Sequence, residues 1–276
     1  MKKVLLINSP DTQGLISKVA SILYSHHLNI EKNDEHVDLQ NNHFFMRTCF
    51  SGEINSEVLL QKLKEDLPKN AQISIKNQEK KSIIILCTKE NHCLGDLLLR
   101  HQSGELNANI QAVISNYEDL RGLSEKFEIP YFCVDTTINS REEHENKMLE
   151  IISKYQVDYL VLAKYMRILS PSFVEHFENK IINIHHSFLP AFIGANPYKQ
   201  AYDRGVKMIG ATSHFVNNNL DEGPIITQDI IHIDHTYDWQ EMQKAGRDVE
   251  KITLARGLKL ALEDRIFVFA NKTIIF

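Results

Sequence analysis

The polar stretch Asn77-Gln78-Glu79-Lys80-Lys81-Ser82 divides the chain into two patterns that no single sheet satisfies. Directly after it comes Ile83-Ile84-Ile85-Leu86-Cys87, a run that is apolar on both faces. A strand of this kind must be covered on both sides. Strands alternating with helices supply that cover in a parallel sheet. The alternation continues to the C-terminus: helices are expected at 92–101, 118–127 and 141–155, with strands at 83–87, 110–115, 131–134 and 159–163. Further strands follow around Ile181, from Gly210 and from Pro224. The stretch 194–198 is expected to lead into a helix through Asp203, and a long helix is expected over 238–264, broken near Gly246. A terminal hairpin turns at Asn271. The second segment, residues 82–276, is therefore expected to be α/β with a mainly parallel sheet. The loop Thr88–Gly95 has neither a GxGxxG nor a P-loop pattern, which argues against dinucleotide binding.

Ahead of the divide the order is different. Residues 3–8 read as a strand, and Leu15, Ile16, Val19, Ile22 and Leu23 recur at helical spacing with Asp11 or Thr12 as the expected N-cap. Strands at 29–38 and 42–50 follow, then a helix at 56–67 and a strand at 72–76. This βαββαβ order predicts a ferredoxin-like sandwich over residues 1–78.

The composition narrows the functions. In 276 residues, 43% are hydrophobic, enough for two cores, and the net charge is −5. That balance gives no broad basic surface, so a nucleic-acid partner is not expected. Cys49, Cys87, Cys93 and Cys133 lack CxxC spacing and read as free cytosolic thiols. No signal peptide and no stretch of about 18 apolar residues is present, so a cytoplasmic protein without a membrane partner is expected.

Chemistry is concentrated in two stretches. In Ile181-Ile182-Asn183-Ile184-His185, alternation along a strand puts Asn183 and His185 on one face. An amide and an imidazole there can stabilise an oxygen that becomes negative, although a buried pair satisfied by backbone is the plainer reading of these two residues alone. The second stretch, Gly210–Val216, runs into the polar turn Asn217–Pro224, which carries Asp221 ahead of Gly223-Pro224. Asn, His and Asp together make an acyl-transfer site with no serine or cysteine nucleophile. His232, Asp234 and His235 have ligand-like spacing but read as a solvated strand end, and no metal is expected.

Asn183-Ile184-His185, His214-Phe215-Val216 and Leu220-Asp221-Glu222-Gly223-Pro224 resemble the catalytic segments of the formyltetrahydrofolate-dependent formyltransferase family, and Tyr165–Ser170 resembles its folate-pocket loop. The resemblance runs from about residue 82 to the C-terminus and implies a Rossmann-like catalytic domain. It implies backbone contacts to a pterin near Arg167 and Leu169, and an apolar lining from Met166, Ile168 and Leu169. Thr212 and His214 would support the centre. His186 replaces the proline usual in the transferases and is similar to the hydrolytic branch of the family, the deformylases. That branch implies hydrolysis of 10-formyltetrahydrofolate to tetrahydrofolate and formate. The formate would feed purine biosynthesis and balance the one-carbon folate pools. Asp221 would be the base for water, His185 and Asn183 the oxyanion stabilisers, and no cofactor is required.

Pro10-Asp11-x-x-Gly14-Leu15 resembles an ACT domain. This implies a homo-oligomer, dimer or tetramer, and an amino-acid effector near Gly14 and Asn29; a packing module without ligand is equally open. Two other functions stand beside hydrolysis: formyl transfer to an amine, against which Glu90 and His186 weigh, and a non-enzymatic folate- or amino-acid-responsive regulator.

Overall fold

The computed structural model describes residues 2–135, 140–191 and 196–276. They form two units, each with its own sheet.

The first unit contains β1 (Lys2–Pro10), α1 (Leu15–Ser25), β2 (Asn29–Asp38), β3 (His43–Ser51), α2 (Ser56–Asp66) and β4 (Gln72–Asn77). Its antiparallel sheet has the order β2-β3-β1-β4. Leu5 and Ile7 of β1 and Phe44, Met46 and Phe50 of β3 bury one sheet face against Leu15, Val19 and Leu23 of α1 and Leu59 and Leu63 of α2. The start of α1 differs from expectation. Gly14, at φ 88°, is the N-cap, and no side chain caps the helix. Neither Asp11 nor Thr12 has that role, because the chain enters the helix through a left-handed residue that glycine adopts without strain.

The strand register also separates the two residues expected to share an effector. Asn29 pairs with Ser51 at one end of β3, whereas Pro10, which leads to Gly14, pairs with His43 at the other. Eight residues of strand, about 26 Å, lie between these ends. Gly14 and Asn29 of one chain therefore do not form a single site.

The second unit contains β5 (Lys81–Cys87), α3 (His92–Gln102), β6 (Ala108–Ser115), α4 (Arg121–Glu125), β7 (Tyr131–Cys133), α5 (Arg141–Ile152), β8 (Tyr159–Ala163), α6 (Pro171–Glu175), β9 (Ile181–His185), α7 (Pro197–Arg204), β10 (Met208–Phe215), β11 (Ile225–His232) and α8 (Trp239–Leu262). The sheet order is β11-β10-β9-β8-β5-β6-β7. The five strands from β9 to β7 are parallel, and β10 and β11 are antiparallel additions. Ile83 to Cys87 are fully buried at the centre, as an apolar strand covered on both faces requires. The chain leaves β5 for β6 on one side and later forms β8 on the other. The carboxyl ends of β5 and β8 thus flank a topological switch point, the usual place for a ligand in such a sheet.

The long helix is unbroken at Gly246. A Cβ there would lie 2.1 Å from the Tyr198 hydroxyl, so the glycine admits a neighbouring ring and does not end the helix.

The chain closes with β12 (Ile266–Phe269) and β13 (Lys272–Ile275). Residues 263–269 and 274–276 group with the first unit, so the second does not continue unbroken to residue 276. Phe267 and Phe269 set their rings edge-on to Phe45 at 5.6 and 5.4 Å, and Arg47 donates to the carbonyls of Glu263 and Asp264, each at 2.9 Å. These contacts cover the sheet face opposite α1 and α2.

Candidate active site

The register of β9 and β10 assembles the centre: Asn183 pairs with His214, and His185 with Thr212. The turn after β10 returns Asp221 to this point, with its Oδ1 3.2 Å from His185 Nδ1 and 3.9 Å from His214 Nε2. Asp221 itself is in the left-handed region at φ 58°, which aspartate tolerates better than most residues. Gly223 makes the turn possible, since a Cβ there would lie 1.7 Å from the Phe215 carbonyl oxygen.

Asn183, His185, His214 and Asp221 all line a cavity of about 290 Å³. The loop between β8 and α6 forms another wall with Met166, Arg167, Ile168 and Leu169, and Asn217 to Leu220 face the same space. Met166, Ile168 and Leu220 are largely exposed, so the mouth has an apolar lip, a feature that marks a binding surface. The loop after β8 is tied at two points. Arg141 donates to the Ile168 carbonyl, and the Glu145 carboxylate accepts from the Ser170 backbone N–H at 2.8 Å.

Hydrogen bonds assign the rings. His214 Nδ1 lies 2.8 Å from the Phe215 carbonyl and must donate to it. In the neutral ring, Nε2 then accepts from the Asn183 amide at 3.1 Å. Burial lowers the His214 pKa and favours this neutral form. His214 therefore aims Asn183 and does not hold Asp221. One Asn183 N–H remains to serve a ligand. His185 donates Nδ1–H to Asp221, and its buried Nε2 has no protein partner among the described residues. Burial pushes the Asp221 pKa up, but the His185 hydrogen bond and the nearby histidine rings outweigh it and hold the carboxyl below its ordinary range. Asp221 is ionised at neutral pH.

Thr212 supports the centre only indirectly. It is fully buried, and its hydroxyl donates to the Ser187 carbonyl at 2.8 Å and accepts from the Leu189 N–H at 3.0 Å. It fastens the turn after β9 and does not line the cavity. His186, singled out above only as the replacement for a proline, lines the cavity, and so does Lys164, which the sequence did not single out. Lys164 is 4% exposed at φ 60°, and its ammonium lies 3.3 Å from Glu250. The unusual backbone is invisible in sequence, and its partner is far along the chain.

His186 gives a pH prediction. Burial, then the Lys164 charge, push its pKa down to about 4 from an ordinary 6.5. Below pH 6.5 the unfolded chain takes up this proton first, so stability is complete above that pH and is lost as pH falls toward 4. Urea unfolding at pH 5 should show about 2 kcal/mol less stability from this group than at pH 7. His186→Gln should remove that part of the dependence. His214 contributes with the same sign.

The family model of the formyl transferases matches residues 81–258, the stretch that carries the parallel sheet and Asn183, His185 and Asp221. The formyltetrahydrofolate deformylase of Haemophilus influenzae is 54% identical over 99% of both chains. The crystal structure of a formyltetrahydrofolate deformylase from Pseudomonas syringae pv. tomato superposes with a TM-score of 0.96 at 40% identity, covering 100% of this chain and 95% of that one. A glycinamide ribonucleotide transformylase from Symbiobacterium toebii covers 73% of this chain and 96% of its own, with a TM-score of 0.68 and 28% identity. The chain belongs to the formyltetrahydrofolate deformylase family.

Proposed function

We propose that this protein hydrolyses 10-formyltetrahydrofolate to tetrahydrofolate and formate, with formate passing to purine biosynthesis and the one-carbon folate pools kept in balance. The observation that carries the mechanism is the Asp221–His185 pair at 3.2 Å on the cavity wall, beside the free N–H of Asn183. The folate occupies the cavity between the 166–169 loop and the 217–220 turn. Asp221 takes a proton from water, and the water oxygen bonds to the formyl carbon. With Nδ1–H given to Asp221, His185 donates through Nε2 when the ring carries both protons. Nε2–H and the Asn183 amide then cover the oxyanion.

The two acts reinforce each other. As His185 yields positive charge to the oxyanion, the carboxylate beside it becomes a better base. Collapse breaks the bond from carbon to N10, and the proton taken from water returns to N10. The residues present cover the base and oxyanion roles with no added cofactor.

The N-terminal unit serves in this proposal as an ACT-type, ferredoxin-like pairing module, with the outer strands β2 and β4 as its edges. Purified protein given 10-formyltetrahydrofolate and no amine should release one formate per folate consumed. A strict requirement for an amine acceptor would return the alternative, formyl transfer.

A further inference from the structure

A buried polar cluster lies beside the reaction centre, and no step above uses it. Glu250 of α8 is at its middle, 1% exposed, accepting from the Tyr198 hydroxyl at 2.6 Å. His92 Nε2 lies 2.7 Å and Lys164 Nζ 3.3 Å from its other oxygen. On the outer side, Glu90 lies 3.6 Å from His92 and 3.3 Å from the partly exposed Arg247. On the inner side, Lys164 and His186 belong to the cavity wall. The His186 ring is 5.2 Å from that of His185 and 6.1 Å from that of Tyr198. Polar side chains thus extend from the catalytic histidine to the surface at Arg247.

His92, Cys93 and Glu250 place ligand-type atoms within 4.8 Å of one another. A cation is nevertheless disfavoured. Glu250 already has three partners, and burial followed by the Glu250 charge keeps the Cys93 thiol protonated.

The placement suggests a different role. With folate between the two loops, an acceptor would have to reach the formyl carbon from the far side of His185. On that side Lys164 and His186 stand in the cavity wall, with Tyr198, Glu250 and His92 beyond them. The cluster is costly to build: it buries charges, holds a lysine in the left-handed region and requires a glycine at 246 to admit Tyr198.

We propose that the Glu250 cluster is the barrier that holds amines out of the reaction centre, leaving water as the acceptor of the formyl group. This rests on the deformylase reading and identifies the residues that make the site hydrolytic. When the barrier is opened, the nitrogen of a small amine bonds to the formyl carbon. The bond from carbon to N10 breaks, and one N–H proton of the amine ends on N10.

Hydroxylamine tests this, because its product, formohydroxamate, is measured separately from formate. Wild-type protein with 10-formyltetrahydrofolate and hydroxylamine should give formate almost alone. Tyr198→Ala and His92→Ala should each raise the ratio of hydroxamate to formate by about tenfold or more. Tyr198→Phe, which keeps the ring, should stay near wild type. If Tyr198→Ala fails to fold, His92→Ala carries the test, since its side chain lies outside the apolar core. Folded variants that release formate with the wild-type product ratio would overturn the barrier, as would a wild-type enzyme that forms hydroxamate equally well. Wild-type protein that releases no formate would instead overturn the deformylase reading, and the barrier with it.

Discussion

Asp221→Asn should leave a folded protein that binds folate and releases formate about 10³-fold more slowly. Asparagine keeps the size of the side chain and its tolerance of the left-handed backbone at φ 58°. Its amide oxygen can still accept from His185 Nδ1. It cannot take a proton from water, and it removes the negative charge beside the ring. Base catalysis and the charged partner of the His185 ring are therefore lost together. Glu222→Gln is the control. Glu222 is exposed and absent from the cavity wall, its backbone N–H reaches the Asn219 carbonyl, and its carbonyl accepts from Asn271 at 2.7 Å. Its carboxylate should matter little. If Asp221 only shaped the turn, both variants would be near wild type. Single-turnover formate release, with folate binding measured separately, distinguishes the cases.

His185→Asn should cost about 100-fold or more in the same assay. The substitution keeps one donor but gives up the geometry in which Nδ1 serves Asp221 while Nε2 faces the cavity. The loss should fall on turnover more than on folate affinity, because the substitution leaves the 166–169 and 217–220 walls of the cavity, where the folate is proposed to lie, unchanged. A folded variant with wild-type turnover would remove His185 from the oxyanion role.

The centre was unusually legible because β9 obeys simple alternation, which fixes Asn183 and His185 on one face before any tertiary contact is known. Asp221 could be picked out as a carboxylate in a turn ahead of Gly-Pro. What the sequence could not supply was partnership. Whether His214 serves Asp221 or Asn183 depends on the Phe215 carbonyl taking its Nδ1 proton. Thr212 pairs with His185 across the sheet but turns its hydroxyl to Ser187 and Leu189. The pairing of Lys164 with Glu250 and the packing of Phe267 on Phe45 join distant stretches, and no local pattern encodes either. Gly246 looked like a helix break because a glycine demanded by a neighbour cannot be distinguished, in sequence, from one that ends a helix.

The central claim is that water, activated beside Asp221 and His185, takes the formyl group. Turnover of unlabelled 10-formyltetrahydrofolate in ¹⁸O-water, with no amine present, tests it most directly. One ¹⁸O should enter each formate released, at a rate that falls with Asp221→Asn in proportion to formate release itself. Formate without label, or no turnover until an amine is supplied, would contradict it.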